Sequence, residues 1–409
     1  MLTKDKVLEL IASGENSYVE FKLEKERNED LLKTIAAFAN LKGGFLLIGI
    51  ADDGQPVGVS DPKLLEERIM NSCFDSLKQV IIPDFYSFRI DGNDIVVFHV
   101  AQGMNKPYAL VRQRKERFYL RRGTTVKEAT REELLRFYQA SGYINYEITP
   151  IIQADLTDLD FDQIRNFFLN NPYNPIDINI FPEKERTNFL VNKEILVEFE
   201  AQIKPTFAGL LLFGINPGRF LFLSGITLSR FKGIEKSYQY KDYKIATAIL
   251  PKHDHKGNLI EKGLIHQVMD LIEGLLINQT TAYLEGAKRI LEYPYKLESI
   301  REAIVNAVAH RDYTINGVDI RVELFDNRIE VHSPGKIPNT LTIEKMKVGA
   351  KYYRNQILVQ YLKEAGLMDL HSLGIPVKIL KLSTEYAGKA PLLVENGDEF
   401  VVTIFARTF

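Results

Sequence analysis

The chain has 409 residues, 45% hydrophobic and 26% charged, with a net charge of −2, a balance that excludes disordered and low-complexity architectures and predicts more than one domain. Near neutrality excludes a global attraction to nucleic-acid phosphates, so such binding must be local. No window approaches 18 uninterrupted apolar residues, which argues against a membrane-spanning helix and hence against channels and transporters.

The start, Met1 to Leu10, lacks the apolar run of a secretory signal, so a cytoplasmic location without a membrane partner is expected. The single cysteine, Cys73, lies among Ile69, Met70, Phe74 and Leu77 and reads as a small buried hydrophobe. An opening helix over Lys4 to Ser13 should stop at Gly14. In the strand Tyr18 to Leu23, apolar Val19, Phe21 and Leu23 alternate with Tyr18, Glu20 and Lys22, which places Glu20 and Lys22 on one surface. Glu15 precedes them at an odd spacing, and a bend after Gly14 would bring it back. Asn28, Glu29 and Asp30 mark a helix start with Leu31, Leu32, Ile35, Phe38 and Ala39 as its buried stripe. A strand Phe45 to Ile50 then runs into the turn Asp52-Asp53-Gly54. Arg112, Arg114, Lys115, Arg117, Arg121 and Arg122, with Phe118 and Tyr119 between them, form a basic and aromatic stretch suited either to phosphate contact or to plain solvation.

These pieces fall in a known order. Glu15-x4-Glu20-Phe21-Lys22, Ala37-Phe38-Ala39-Asn40-x2-Gly43-Gly44, Leu47-Ile48-Gly49-Ile50-x-Asp52-Asp53-Gly54-x3-Gly58, Lys106-Pro107-Tyr108 and Phe118 to Thr124 together resemble the Schlafen-type AlbA-like domain. That resemblance implies nucleic-acid binding, with Lys106, Arg117, Tyr119, Arg121 and Arg122 as contact residues. Some eukaryotic members it resembles are RNA endonucleases using two glutamates and an aspartate, which would make Glu15 and Glu20 catalytic here and ligands for Mg2+ or Mn2+, with Lys22 beside Glu20 as the catalytic cation that steadies the developing phosphorane charge. Hard carboxylate oxygens suit those ions. Asp52 and Asp53 are equal candidates for the third acid. The bland alternative is a simple ion pair between Glu20 and Lys22.

After a helix from Arg131 to Ser141, Pro150, Pro172, Pro175 and Pro182 suggest that the first domain ends near 140. In the middle region, Ala208 to Gly214 reads as a buried strand and Gly225 to Phe231 as a second one, while Leu259 to about Leu284 is helical in pattern. His253-Asp254-His255 is read as an exposed turn rather than a metal site.

Further on, Ser299-x2-Glu302 opens a helix by the capping-box pattern, with Glu302 and Asn306 projecting together. Strands Val318 to Phe325 and Arg328 to His332 are joined at Asp326-Asn327, and Ser333-Pro334-Gly335 makes a turn. The run Arg301 to Tyr313, with Arg328 to Val331, Ser333 to Gly335, Arg354-Asn355 and Leu367 to Ile375, is similar to the ATPase-like, RecG-related domain often paired with the Schlafen-type module, itself of GHKL type. The resemblance implies ATP as ligand, held by Glu302, Asn306, His310, Arg311, Asp312, Gly335 and Gly374, with Asn306 on Mg2+ and Glu302 activating water. Three positions depart from that class: Ser333 stands for an adenine-reading aspartate, Ile337 for a glycine, and Ser372-Leu373-Gly374 for a flexible Gly-x-Gly lid.

The expected architecture is α+β: a mixed α/β Schlafen-type domain over 1–140, an α/β linker region over 145–285 and a GHKL-like α/β sandwich over 286–409. The leading function is a nucleic-acid-binding regulator of DNA or RNA, tRNA included, with an ATP-sensing or dimer-forming second pocket. The alternatives are a metal-dependent endoribonuclease, in phage defence or stress response, and a non-catalytic interaction scaffold. A second copy of the chain is the expected protein partner. No helix-turn-helix follows the last strand, Val401 to Phe405, which argues against operator reading.

Overall fold

A computed structural model describes residues 2–103, 106–140, 145–172, 174–285, 288–315, 317–337, 341–350, 352–368 and 374–407. The chain divides into two compact units, Met1–Ile144 and Asn145–Phe409. Both are mixed α/β.

The first unit carries helices α1 (Lys4–Ser13), α2 (Asn28–Asn40), α3 (Pro62–Ser76) and α4 (Arg131–Ala140). Strands β1 (Val19–Lys22), β2 (Gly44–Ile48), β4 (Asp84–Ile90) and β5 (Asn93–Val100) form one sheet in the order β1-β2-β5-β4, whereas β3 (Leu77–Lys78), β6 (Ala109–Arg112), β7 (Lys115–Arg122) and β8 (Thr125–Glu128) form a second in the order β3-β6-β7-β8. The first sheet is covered on both faces. Leu46 and Ile48 join Leu31, Ile35 and Phe38 of α2 in one core, while Leu47, Val19 and Phe21 meet Val7 of α1 in another. Burial on both sides is why β2 reads as an unbroken apolar run. The pleat then sends Glu20 to the face opposite Val19 and Phe21, where register pairs it with Leu46. Asn28, expected as the cap of α2, is instead its first helical residue and donates to Ser72 Oγ at 3.0 Å.

The second unit contains α5 (Phe161–Leu169), α6 (Glu183–Asn192), α7 (Phe207–Phe213), α8 (Leu264–Leu276), α9 (Leu297–His310), α10 (Ile343–Lys347), α11 (Gln356–Glu364), a π-helical turn Gly374–Lys381 and α12 (Leu382–Ala387). Hairpins β9 (Leu196–Phe199) with β10 (Gln202–Pro205), β13 (Lys252–His253) with β14 (Leu259–Glu261), and β15 (Thr281–Glu285) with β16 (Lys288–Glu292) stand apart from a six-stranded sheet. That sheet comprises β11 (Ile226–Phe231), β12 (Tyr240–Ile245), β17 (Ile320–Leu324), β18 (Arg328–Pro334), β19 (Leu392–Asn396) and β20 (Glu399–Phe405), in the order β12-β11-β17-β18-β20-β19. Its β11 and β17 run parallel, in register from Ile226 with Ile320 to Arg230 with Leu324. The expected middle and last modules therefore lie within one unit, because strands from both halves build one sheet and one core that runs from Ala154 to Ile404.

Three local expectations change. Phe207–Phe213, expected as a strand from Ala208, is a fully buried helix whose cap Thr206 accepts from Gly209 N at 2.8 Å; a short apolar run with no exposed face carries no periodicity to tell the two apart. The region from Leu259 opens as β14 before α8 begins at Leu264. Helix α9 starts at Leu297, so Ser299 sits inside it and donates to Lys378 O at 2.5 Å instead of capping.

On the face of the sheet opposite Val322 and Val331, His332 lies between Glu330 (3.2 Å), Glu323 (3.5 Å) and Glu399 (3.4 Å). Burial works against a charge on His332, but its hydrogen bonds with Glu323 and Glu330 prevail and raise its pKa to about 9. The same His332 contact is the main cause holding Glu330 at about 2. A histidine raised in the folded state stabilises fully below its unfolded pKa and loses that contribution as pH climbs to the folded value. Unfolding free energy should therefore fall by on the order of 2 kcal/mol between pH 6.5 and about 9. Denaturant titrations across that range should show most of the slope abolished in His332→Gln.

Candidate functional site

The second unit contains a cavity of about 130 Å3 bounded by α9, β18, β20, residues of α10 and the Tyr352–Arg354 run, and the π-helical turn. A cavity of that order admits one aromatic ring system. Its walls are largely apolar, with Val331, Met346, Met368, Phe400 and Val402 among them, and a few polar groups converge on it, the usual make-up of a small-molecule site.

Helix α9 supplies Glu302, Asn306 and His310 to that wall because the three lie four residues apart on one face. Glu302 is buried, accepts from Asn306 Nδ2 at 3.2 Å and lies 3.7 Å from Lys378 Nζ. Gly374 opens the turn opposite, where a Cβ would lie 2.0 Å from Glu302 Oε1, so a larger residue there would push the Glu302 carboxylate out of its present position. His310 stacks on Tyr353 with ring centroids 5.9 Å apart and an interplanar angle of 9°. Burial, with the Arg354 charge, pushes the His310 pKa down to about 4, so its ring is neutral at physiological pH.

The other nucleotide candidates do structural work beside the cavity. Arg311 is buried and donates to Ile315 O and Val318 O. Asp312 accepts from Thr314 N at 3.0 Å and Thr314 Oγ1 at 2.5 Å. Gly335, at φ 116°, passes Arg354 so closely that a Cβ would lie 2.3 Å from its Nη1. Ser333 lines the cavity and donates its hydroxyl proton to Ala307 O at 3.2 Å. Lys336, Tyr353 and Arg354 are cavity residues that the sequence left outside the ligand set; the one available signal was the aromatic and basic run Tyr352-Tyr353-Arg354. Ser372 and Leu373, of the expected lid, lie outside the described residues.

In the first unit, the expected Glu20–Lys22 neighbourhood is present as an ion pair of 2.6 Å. The other oxygen of Glu20 binds Arg121 Nη1. Arg121 is fully enclosed, donating also to Asn16 O and, at 2.8 Å, to Val19 O, with Phe38 under its guanidinium at 5.1 Å. Glu15 accepts from Phe21 N at 2.9 Å. Asp52 and Asp53 are exposed. Among the described residues Glu15, Glu20 and an aspartate do not gather as a set of metal-ligand atoms; the group that does is Glu323, Glu330 and His332, where Lys236, Arg321 and Arg328 supply compensating cations through Glu323, Glu399 and Glu330.

The nucleic-acid candidates separate in the same way. Lys106 is buried, with its pKa pushed down to about 7 by that burial, and Tyr119 and Arg121 are buried too. Arg117 and Arg122 are exposed, and Arg122 binds Glu133 at 2.9 and 3.0 Å. The exposed basic surface is thus the β6–β7 hairpin, with Arg112, Arg114, Lys115 and Arg117. Removing one partner of a buried pair leaves its fellow uncompensated, so Arg121→Ala should lower the stability of the first unit by about 3–5 kcal/mol, read by denaturant unfolding, whereas Arg114→Ala should leave it unchanged.

Residues 15–130 match the family model described as "Schlafen, AlbA_2", and residues 317–404 match "Putative ATP-dependent DNA helicase recG C-terminal". No curated protein matches the chain. Among solved structures, the crystal structure of the DIP2311 protein from Corynebacterium diphtheriae is 21% identical, covering 98% of this chain and 80% of that one, with a TM-score of 0.45. The solution structure of the N-terminal domain of a "Putative ATP-dependent DNA Helicase RecG-related Protein" from Nitrosomonas europaea is 26% identical, covering 32% of this chain and 94% of that one, with a TM-score of 0.26. Among the described residues no helix is long and apolar enough to cross a membrane. The chain therefore carries one segment, residues 15–130, that matches the Schlafen AlbA_2 model and another, residues 317–404, that matches the RecG-related C-terminal model.

Proposed function

We propose that this protein binds nucleic acid through its first unit and a nucleotide in the cavity of its second, acting as a nucleotide-responsive regulator. The observation that carries the reading is the β6–β7 hairpin, whose Arg112, Arg114, Lys115 and Arg117 side chains are all exposed within the matched Schlafen AlbA_2 segment. Clustered cations on one hairpin neutralise phosphates locally, which a chain of net charge −2 cannot do globally. Binding is favoured over cleavage by the engagement of the glutamates, since Glu20 is already matched by Lys22 and Arg121 and Glu15 by a backbone amide.

The cavity suits a nucleotide on three counts. It has the size of a ring system, Glu302 and Asn306 offer hard oxygen donors for a triphosphate-bound Mg2+, and Lys336 and Arg354 stand at its wall as cations for phosphate. Bound Mg2+ would neutralise triphosphate charge; the protein's own part is to present Asn306 and Glu302 and to enclose the base.

Fluorescence anisotropy with single-stranded RNA, tRNA and duplex DNA should show binding that weakens as salt rises. Replacing Arg114, Lys115 and Arg117 together by Ala should weaken it at least about tenfold and flatten the salt slope by roughly two; equal binding by that variant would refute the hairpin as the interface. Millimolar ATP with Mg2+ should raise the melting temperature of the second unit by several degrees, with a smaller rise in Asn306→Ala. An unshifted melting temperature in the wild-type chain would remove the nucleotide from the reading.

A further inference from the structure

The first turn of α11 is capped from far away. Its N-cap residue is Asn355, yet that side chain makes no cap bond: Nδ2 donates to Ala309 O (3.1 Å) and Arg311 O (2.8 Å) at the end of α9, and this orientation leaves the acceptor Oδ1 buried without reaching an amide of α11. The orphan amides of α11 still need acceptors. Glu147, from the short helical turn Tyr146–Ile148, supplies both: Oε2 accepts from Ile357 N at 3.1 Å and Oε1 from Leu358 N at 2.7 Å. The carboxylate is 2% exposed, and the positive end of the helix dipole favours its charge.

Immediately before α11, Arg354 donates to His310 O at 3.0 Å and Lys336 O at 2.7 Å, so it ties the last turn of α9 to the strand exit that bounds the cavity. Three residues before Glu147 the first unit ends, at Ile144. The segment around Glu147 is itself anchored, with Phe207 N donating to Thr149 O, Ile151 N to Pro205 O, and the Tyr146 ring tilted against Phe207 with centroids 4.8 Å apart. A displacement of residues 145–149 therefore has a direct covalent and hydrogen-bonded route to Arg354 and to the ends of α9.

We propose that Glu147 is a positioning residue for the cavity: by capping α11 it fixes the Arg354–Asn355 turn against α9, and so couples the segment that follows the first unit to ligand binding in the second. The coupling to a ligand rests on the nucleotide reading above; the coupling to the turn does not.

The test uses the full chain at pH 8, above the value of about 7 to which burial pushes the Glu147 carboxyl. In Glu147→Gln one acceptor becomes a donor facing an amide, so hydrogen exchange should quicken at Ile357 and Leu358 and also, within the folded state, at the amides of Arg311 and Asp312. Affinity for Mg-ATP, measured by calorimetry well below the melting temperature, should weaken roughly tenfold, within the span of modest site-to-site coupling. A purely structural cap would lower the melting temperature while leaving exchange at residues 311–312 and the ATP affinity unchanged, and that outcome overturns the proposal. If wild-type protein binds no ATP, the nucleotide reading fails, and the exchange at residues 311–312 alone decides whether Glu147 positions the turn. Glu147→Asp, which keeps the charge and shortens its reach, carries the same comparison should the Gln variant not fold.

Discussion

The buried C-terminal end of α9 is the constraint around which the second unit is arranged. A helix that ends inside a protein leaves carbonyls that water cannot reach, and each must find a donor. Here Ser333 serves Ala307 O, Asn355 serves Ala309 O and Arg311 O, and Arg354 serves His310 O. Those donors come from the end of β18 and from the turn before α11, so satisfying one helix end fixes the relative placement of a strand and a second helix. The cavity lies against the same helix face. Two of its polar residues, Ser333 and Arg354, are therefore held by bonds that also finish a helix.

The first unit solves a related problem by different means. Arg121 enters from β7, places its guanidinium over Phe38 and gives its protons to Glu20, Asn16 O and Val19 O. Asn40 similarly binds Tyr108 O and Tyr119 O and receives Tyr108 N. In both cases a buried polar side chain joins β1 or α2 to the second sheet, which is the role that recurring Arg, Asn and Tyr positions in a sequence motif often conceal. A motif residue is no less necessary for being structural.

Much of this was legible from sequence where one face of an element is wet. The alternation of Tyr18 to Leu23 placed Glu20 beside Lys22, and the helix periodicity of residues 299–308 placed Glu302 with Asn306. Legibility failed where burial is complete. Phe207–Phe213 has no polar face, so its period is invisible, and the spacing of Ser299 and Glu302 imitated a capping box three residues inside a helix. Composition also could not separate exposed from buried cations: Arg117 and Arg121 lie four residues apart on one strand, one in water and one fully enclosed, because the partners of Arg121 are about 100 residues away in sequence. Long-range satisfaction of charge has no local signature.

The parallel pairing of β11 with β17 bears on how this protein is made. As the chain emerges during synthesis, the first unit has all of its strands by Glu128 and can close early. The six-stranded sheet cannot. Its β18 pairs on one side with β17 and on the other with β20, which is the last strand described, while β11 waits for a partner about 90 residues downstream. Until Phe405 has left the ribosome, apolar edges of Ile226, Leu228, Val322 and Val331 have no complete cover. Residues 145–405 thus form a segment whose dependence on chaperone protection should outlast that of everything before it.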